Sequence, residues 1–122
     1  MPTTPIRHAA LVAAVAAGLY AAGSAAASTT ALRPCPPGSY PGLGYFTSLE
    51  VSGTTCRVGR RLELAYYACR IAHGGPAGRC NERLDGFRCQ EIRRSIPTEV
   101  DAIVTCRKGH ERVTHSYQQD LQ

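Results

Sequence analysis

Between residues 56 and 72 the apolar positions recur at helical spacing: Val58, Leu62, Ala65, Cys69 and Ala72 fall at i, i+4, i+7, i+11 and i+14. That spacing sets all five on one face of an amphipathic helix. Thr54 or Thr55 can supply the N-cap, although no Glu three residues on completes a capping box. Gly74-Gly75-Pro76 is a strong stop, since Gly takes the left-handed position and Pro cannot continue the helix. Gly59 is an interior weakness costing about 1 kcal/mol relative to Ala. Arg57, Arg60, Arg61, Glu63 and Arg70 fall off the apolar stripe, and Tyr66 and Tyr67 flank it.

Elsewhere the period is two, the spacing of a strand with one buried face. In residues 45–51, Tyr45, Thr47, Leu49 and Val51 alternate with Phe46, Ser48 and Glu50, and Ser52-Gly53 breaks the run. Residues 77–85 read as a loop. A second strand over 87–93 puts Phe87 and Cys89 on one face. A turn around Pro97 leads to a third strand over 101–107, with Ala102, Val104 and Cys106 together. Lys108-Gly109-His110 makes a tight connection with Gly placed for positive φ. In the fourth strand, 111–117, Val113, His115 and Tyr117 alternate with Arg112, Thr114 and Ser116. The expected fold is α+β: one helix packed on a small antiparallel sheet in the order β-α-β-β-β.

The N-terminus follows a different pattern. Arg7 precedes an uninterrupted apolar run over residues 9–22, and Ala25-Ala26-Ala27 before Ser28 fits an A-x-A cleavage site. These are the three parts of a secretory signal peptide. The run is short of the roughly 20 residues that a membrane span needs, and no comparable stretch follows it. The expected organisation is a signal peptide over 1–27, a Pro/Gly-rich irregular leader over 28–44, a helix-on-sheet domain over 45–118 and a polar tail over 119–122. The expected product is secreted, extracellular and without a membrane span after processing.

The cysteines strengthen that expectation. Cys35, Cys56, Cys69, Cys80, Cys89 and Cys106 all follow the predicted cleavage point. An even count in a short exported chain reads as a disulfide framework, which a small core often needs. Six cysteines allow 15 pairings. Cys69–Cys80 is favoured, because it ties the helix end to its exit loop and such a closure contributes roughly 2–3 kcal/mol. For the other four, a turn centred on Pro97 would set Cys89 opposite Cys106 and leave Cys35 with Cys56. Alternatively, Cys56 bridges to the sheet at Cys89 or Cys106.

The formal charge is +5, and Arg outnumbers Lys 13 to 1. Arg88, Arg93, Arg94, Arg107, Lys108 and Arg112 all map to the hairpins, with Phe87 and Tyr117 near them, so they are the candidate anion-binding set. Glu91, Glu99, Asp101 and Glu111 are interspersed, which favours a mixed, solvated face. No nucleic-acid fold signature accompanies them, so nucleic acid is not the expected partner. Cys69 and His73, at i and i+4, could begin a zinc site with Cys80 and Cys89. The set lacks a C-x2-C knuckle, and an oxidising compartment favours disulfides. Neither a metal nor a cofactor is expected. Cys56 at a helix N-terminus, near His110 or His115, has the electrostatics of a reactive thiol, but a bridged Cys56 outweighs it. Glu82, Asp85, Glu91, Glu99 and Asp101 form no catalytic spacing, so no catalytic residue is assigned.

Several residues together resemble a family. Thr55-Cys56 opens the helix, Gly86-Phe87-Arg88-Cys89 enters a strand, and Val104-Thr105-Cys106-Arg107-Lys108-Gly109 leads to Val113–Tyr117. This is similar to small exported cysteine-containing proteins of high-GC Gram-positive bacteria, mostly uncharacterised. The resemblance spans about residues 51–117 and implies secretion and a helix-on-sheet fold, with Cys56, Cys89 and Cys106 as the recurrent cysteines. On that ground Cys56 is expected to bridge to the sheet. The resemblance carries no activity. The expected function is therefore a secreted, disulfide-rich interaction module of unknown ligand, inhibitor-like in kind. A polyanion- or envelope-binding protein is the alternative, ahead of a small secreted hydrolase or thiol enzyme.

Overall fold

The computed structural model describes residues 2, 3, 5, 13–19, 23 and 31–122. The predicted cleavage site and the start of the leader lie outside the described residues. Val15 and Leu19 are 89% and 98% exposed and take no part in the core.

One helix packs on a five-stranded antiparallel sheet stapled by three disulfides. The strands are β1 (Arg33–Cys35), β2 (Gly44–Ser52), β3 (Arg88–Ile96), β4 (Glu99–Lys108) and β5 (Glu111–Asp120), and the helix α1 is Cys56–Ala72. Their spatial order is β1-β2-β5-β4-β3, so the three-residue β1 and the nine-residue β3 form the edges. The α+β expectation holds, with one strand more than the four anticipated. The extra strand corrects the irregular leader. Cys35 is buried and pairs with Leu49, because a short edge strand tolerates Pro34 where a central one would not. The polar tail also shrinks, since β5 runs to Asp120 and buries Gln119.

Turn chemistry fixes the hairpins. Pro97-Thr98 joins Ile96 to Glu99, and Gly109, at φ 56°, begins the two-residue link from Lys108 to Glu111. Leu84 and Phe87 exchange backbone hydrogen bonds of 3.0 and 2.8 Å around Asp85-Gly86, both at positive φ. That is the backbone a type I′ turn requires and Asp-Gly favours, so the expected loop closes on a turn.

Thr55 caps α1, its Oγ1 accepting from the Val58 N–H at 3.2 Å. The buried face of the helix keeps Leu62 and Cys69 of the apolar stripe but is rotated away from Ala72. Gly59, Leu62, Glu63, Tyr66, Cys69 and Arg70 are buried, whereas Val58 and Ala65 are half-buried and Ala72 is exposed. Gly59 sets this rotation. A Cβ there would stand 2.9 Å from Val51 Cγ1 and 3.1 Å from Leu49 Cδ1. The helix crosses β2 at its one residue without a side chain, so the apparent weakness is the point of closest approach.

The core is Phe46, Leu49, Val51, Leu62, Tyr66, Phe87, Val100, Val104, Val113 and Tyr117 with the bridged cysteines. Phe46 replaces Tyr45 on the inner face because the register of β2 against β5 shifts between Phe46 and Ser48. A bulge there inserts one residue and inverts the alternation on one side of it. The disulfides are Cys35–Cys56, Cys69–Cys80 and Cys89–Cys106. Cys69–Cys80 is the pair that spacing favoured. The expected bridge from Cys56 to Cys89 or Cys106 is not formed; Cys56 reaches the sheet at Cys35 of β1 instead. Cys89 and Cys106 are register partners, and β1 carries Cys35 to within a Cα distance of 5.6 Å of Cys56.

Candidate functional site

Among the described residues, the helix and its exit loop cover one face of the five-stranded sheet and no element covers the other. The helix packs on β2 and β5, and Arg93 of β3 reaches the exit loop at Ala77 and Gly78. The outer side chains of β3, β4 and β5 form an open face whose rows can be read from the register. Arg88 pairs with Arg107, and Arg107 with Arg112. Toward the far end come Gln90, Thr105 and Thr114, then Ile92, Ile103 and Ser116, then Arg94, Asp101 and Gln118, and last Ile96, Glu99 and Asp120.

The arginine row is the densest charge on this face. Like charges directly opposite one another across strands are destabilising, and among the described residues no carboxylate lies within ion-pair distance of Arg88, Arg107 or Arg112. A cavity of about 210 Å³ opens beside them, lined by Ser52, Arg107, His110, Glu111 and Arg112. A larger hollow of about 580 Å³ lies over Thr47, Ile92, Arg94, Asp101, Ile103 and Ser116. Ile92 is 77% exposed and Ile103 52%.

The six expected anion-binding residues do not form one group. Arg88, Arg107 and Arg112 come together, and Arg94 lies farther along, opposite Asp101. Arg93 is on the other face, because it is one residue out of phase with Arg94. There its Nε is 2.9 Å from Glu91 Oε2, and its Nη1 and Nη2 donate to the Ala77 and Gly78 carbonyls at 2.8 and 2.7 Å. Lys108 is likewise out of phase with Arg107. It stands 4.9 Å above the Phe87 ring centre and 3.6 Å from Glu111. The residues that sequence reasoning missed are the outward isoleucines. The signal was available: once Cys89 and Val104 face the core, Ile92 and Ile103 must face away.

Beneath the helix lies a buried polar cluster. Glu91 is 5% exposed at its side chain, 3.3 Å from Arg79, and accepts from the Tyr117 hydroxyl. Burial and that bond hold the Tyr117 phenol well above its ordinary pKa. Arg70, fully buried, donates to the Pro76 carbonyl at 2.9 Å and the Tyr40 hydroxyl at 2.7 Å, and lies 4.1 Å from the Tyr117 ring centre. Tyr40 passes the chain on to Gln119 Oε1 at 2.6 Å. His115 sits among Phe46, Tyr66 and Tyr117, and neither ring nitrogen has a hydrogen-bond partner. Burial first, then the Arg70 charge, lowers its pKa to about 3. Arg70, His115 and Tyr117 are turned toward the core and tie the helix to β5, whereas Arg79 is 59% exposed and lines, with Glu91 and Tyr66, a hollow of about 410 Å³.

Comparison with models of known families, with curated proteins and with solved structures finds no match for this chain. The remaining site chemistry follows from the geometry. All six cysteines are bridged and none is free, so Cys56 is no thiolate and Cys69 and Cys80 no zinc ligands. His73 instead places Nδ1 2.7 Å from the Cys69 carbonyl and Nε2 3.1 Å from Glu82. No group of three metal-ligating side chains gathers among the described residues, and no described helix is long and apolar enough to cross a membrane.

Proposed function

We propose that the chain is an exported, disulfide-stapled interaction module that engages its partner through the open face of the sheet. The observation that carries this is the outer face, which no described element covers, where Ile92 and Ile103 stand exposed on the same face as three arginines without a carboxylate partner among the described residues. Contiguous exposed apolar residues rimmed by polar ones mark contact surfaces. Three disulfides fit an oxidising compartment, and residues 1–27 carry the export pattern. An inhibitor-like role is one form of such a module.

A second reading, binding of a polyanion such as an anionic envelope polymer, is favoured by the arginine row. Guanidinium forks grip phosphate and sulfate oxygens bidentately. A hydrolase or thiol enzyme has least support, with every cysteine bridged and Glu91 held by Arg79, Arg93 and Tyr117.

Export is tested by expressing the full chain and sequencing the N-terminus of the product in the medium. A start at Ser28 with no titratable thiol supports the proposal; a cell-retained chain with residues 1–27 intact sinks it. Polyanion binding is tested by retention on heparin. The triple variant Arg88→Ser, Arg107→Ser, Arg112→Ser should elute at clearly lower salt, and equal elution would count against that second reading.

A further inference from the structure

We propose that a second copy of this chain occupies the open face, in a two-fold, face-to-face dimer whose axis runs across the strands along the Ile92–Ile103–Ser116 row. This rests on the reading of that face as a binding surface and names its partner. The case comes from how charge is distributed. The arginines occupy the first outward row. Glu99 and Asp120 occupy the last, with Asp101 one row nearer the middle. The isoleucine row lies midway, two rows from either end. Rows on one face are about 7 Å apart, so each charged band sits roughly 14 Å from the centre.

A two-fold axis along the central row exchanges the two ends while leaving each strand opposite its own copy. Arg107 then faces the second copy's Glu99, and Arg112 faces its Asp120. Thr105 meets Asp101, Gln90 meets Arg94, and Ile92 and Ile103 each meet themselves. An axis running along the strands would instead set the arginine row against itself. The charge pattern therefore selects one of the two in-plane symmetries. A two-fold contact must be self-complementary, and this face is so about one axis only.

The dimensions permit it. Packed sheets stand about 10 Å apart, a gap that Arg and Glu side chains span from opposite sides. Aligned sheets cross at about 30°, which slides each outer band sideways by about 7 Å, or about one and a half strands. The arginine band is three strands wide and the acidic band two, so the opposite charges still overlap in part after that shift. The dimer also gives Arg107 and Arg112 the carboxylates they lack within the chain, while Arg88 faces the second copy's Ile96. With only Ile92, Ile103 and Ile96 as apolar anchors, the contact belongs at the weak end of stable interfaces, with a Kd on the order of micromolar.

Sedimentation equilibrium on the disulfide-bonded exported chain tests this, across concentration and salt. The expected result is a dimer at tens of micromolar that weakens with salt. Arg107→Glu and Glu99→Arg should each weaken it roughly tenfold or more through like-charge contact, and the double variant should recover most of the loss. Ile103→Asp should give a monomer. Ile103 is half-exposed and points away from the core, and unchanged circular dichroism would show that the fold is kept. A chain that stays monomeric at low salt overturns the proposal. So does a dimer indifferent to these substitutions, which would place the contact elsewhere, for example on the β3 edge. A monomer whose heparin retention still depends on the arginines overturns the dimer and leaves the open face standing as a binding surface. A monomer with no such dependence removes both.

Discussion

Replacing Glu63 by glutamine should change how stability varies with pH, by an amount that can be worked out from the site. Glu63 is fully buried on α1. Its Oε2 accepts from the Gly38 N–H at 3.1 Å, while Oε1 makes no hydrogen bond. Burial, only partly offset by the Gly38 bond and the Arg60 charge, raises the carboxyl pKa to about 7. The folded-state pKa thus exceeds the ordinary 4.5, so the folded chain holds a proton that the unfolded chain has released between those values. The stability linked to that proton is fully present below pH 4.5 and is lost as pH rises through 7. A shift of that size at about 1.4 kcal/mol per pH unit gives a loss of about 3 kcal/mol. The substituted amide does not titrate. Whatever it costs in unpaired donors is constant with pH, and so is absent from the pH dependence. The stability of Glu63→Gln minus wild type should therefore grow by about 3 kcal/mol between pH 4.5 and pH 8. Urea unfolding at several pH values, with disulfides intact, measures it. A difference that stays flat to within about 1 kcal/mol would refute the assignment of a buried, weakly compensated carboxyl.

Three further outcomes follow from the core. His115, with its pKa lowered to about 3, must charge on unfolding, so it should cost stability as pH falls from 6.5 toward 3, by about 5 kcal/mol in full. His115→Phe should remove that dependence, and an acid branch identical to wild type would count against it. Gly59→Ala should destabilise by about 1–3 kcal/mol through overpacking against Val51 and Leu49, despite the better helix propensity of Ala; thermal melts would show a gain instead if the helix can lift without cost. Removing the Cys69–Cys80 bridge as Cys69→Ser with Cys80→Ser should cost roughly 2–3 kcal/mol and leave near-native circular dichroism. A chain that fails to fold would mean that the bridge shapes the exit loop beyond closing it.

How much of this was legible in the sequence differs from element to element. The helix limits were readable because both stop signals are local: a hydroxyl at Thr55 and the Gly74-Gly75-Pro76 break. The hairpins were readable for the same reason, since Pro97 and Gly109 constrain the backbone where they stand. The Cys69–Cys80 pair followed from a short closure. What failed were inferences that required knowing a neighbour. The apolar stripe named Val58 and Ala72 as the packed face, yet the helix buries Glu63 and Arg70 instead. These polar groups find Gly38, Pro76 and Tyr40 across the structure, none of which is visible from helical periodicity. Cys56 was drawn to Cys89 or Cys106 by resemblance, whereas its partner Cys35 lies on an edge strand that Pro34 made hard to anticipate.

The candidate surface divides in the same way. The sequence by itself determined which side chains share a face within each strand, because alternation is a property of the backbone pleat. It therefore fixed Ile92, Ile103, Arg88, Arg107 and Arg112 as outward residues once the core residues were chosen. Only the tertiary structure decided that three arginines from three strands stand in one row, with Glu99 and Asp120 at the opposite end. That placement depends on register between strands, and register is settled by the turns, the Phe46–Ser48 bulge and the helix resting on Gly59. Local periodicity says which way a side chain points; what stands beside it depends on contacts made by distant parts of the chain.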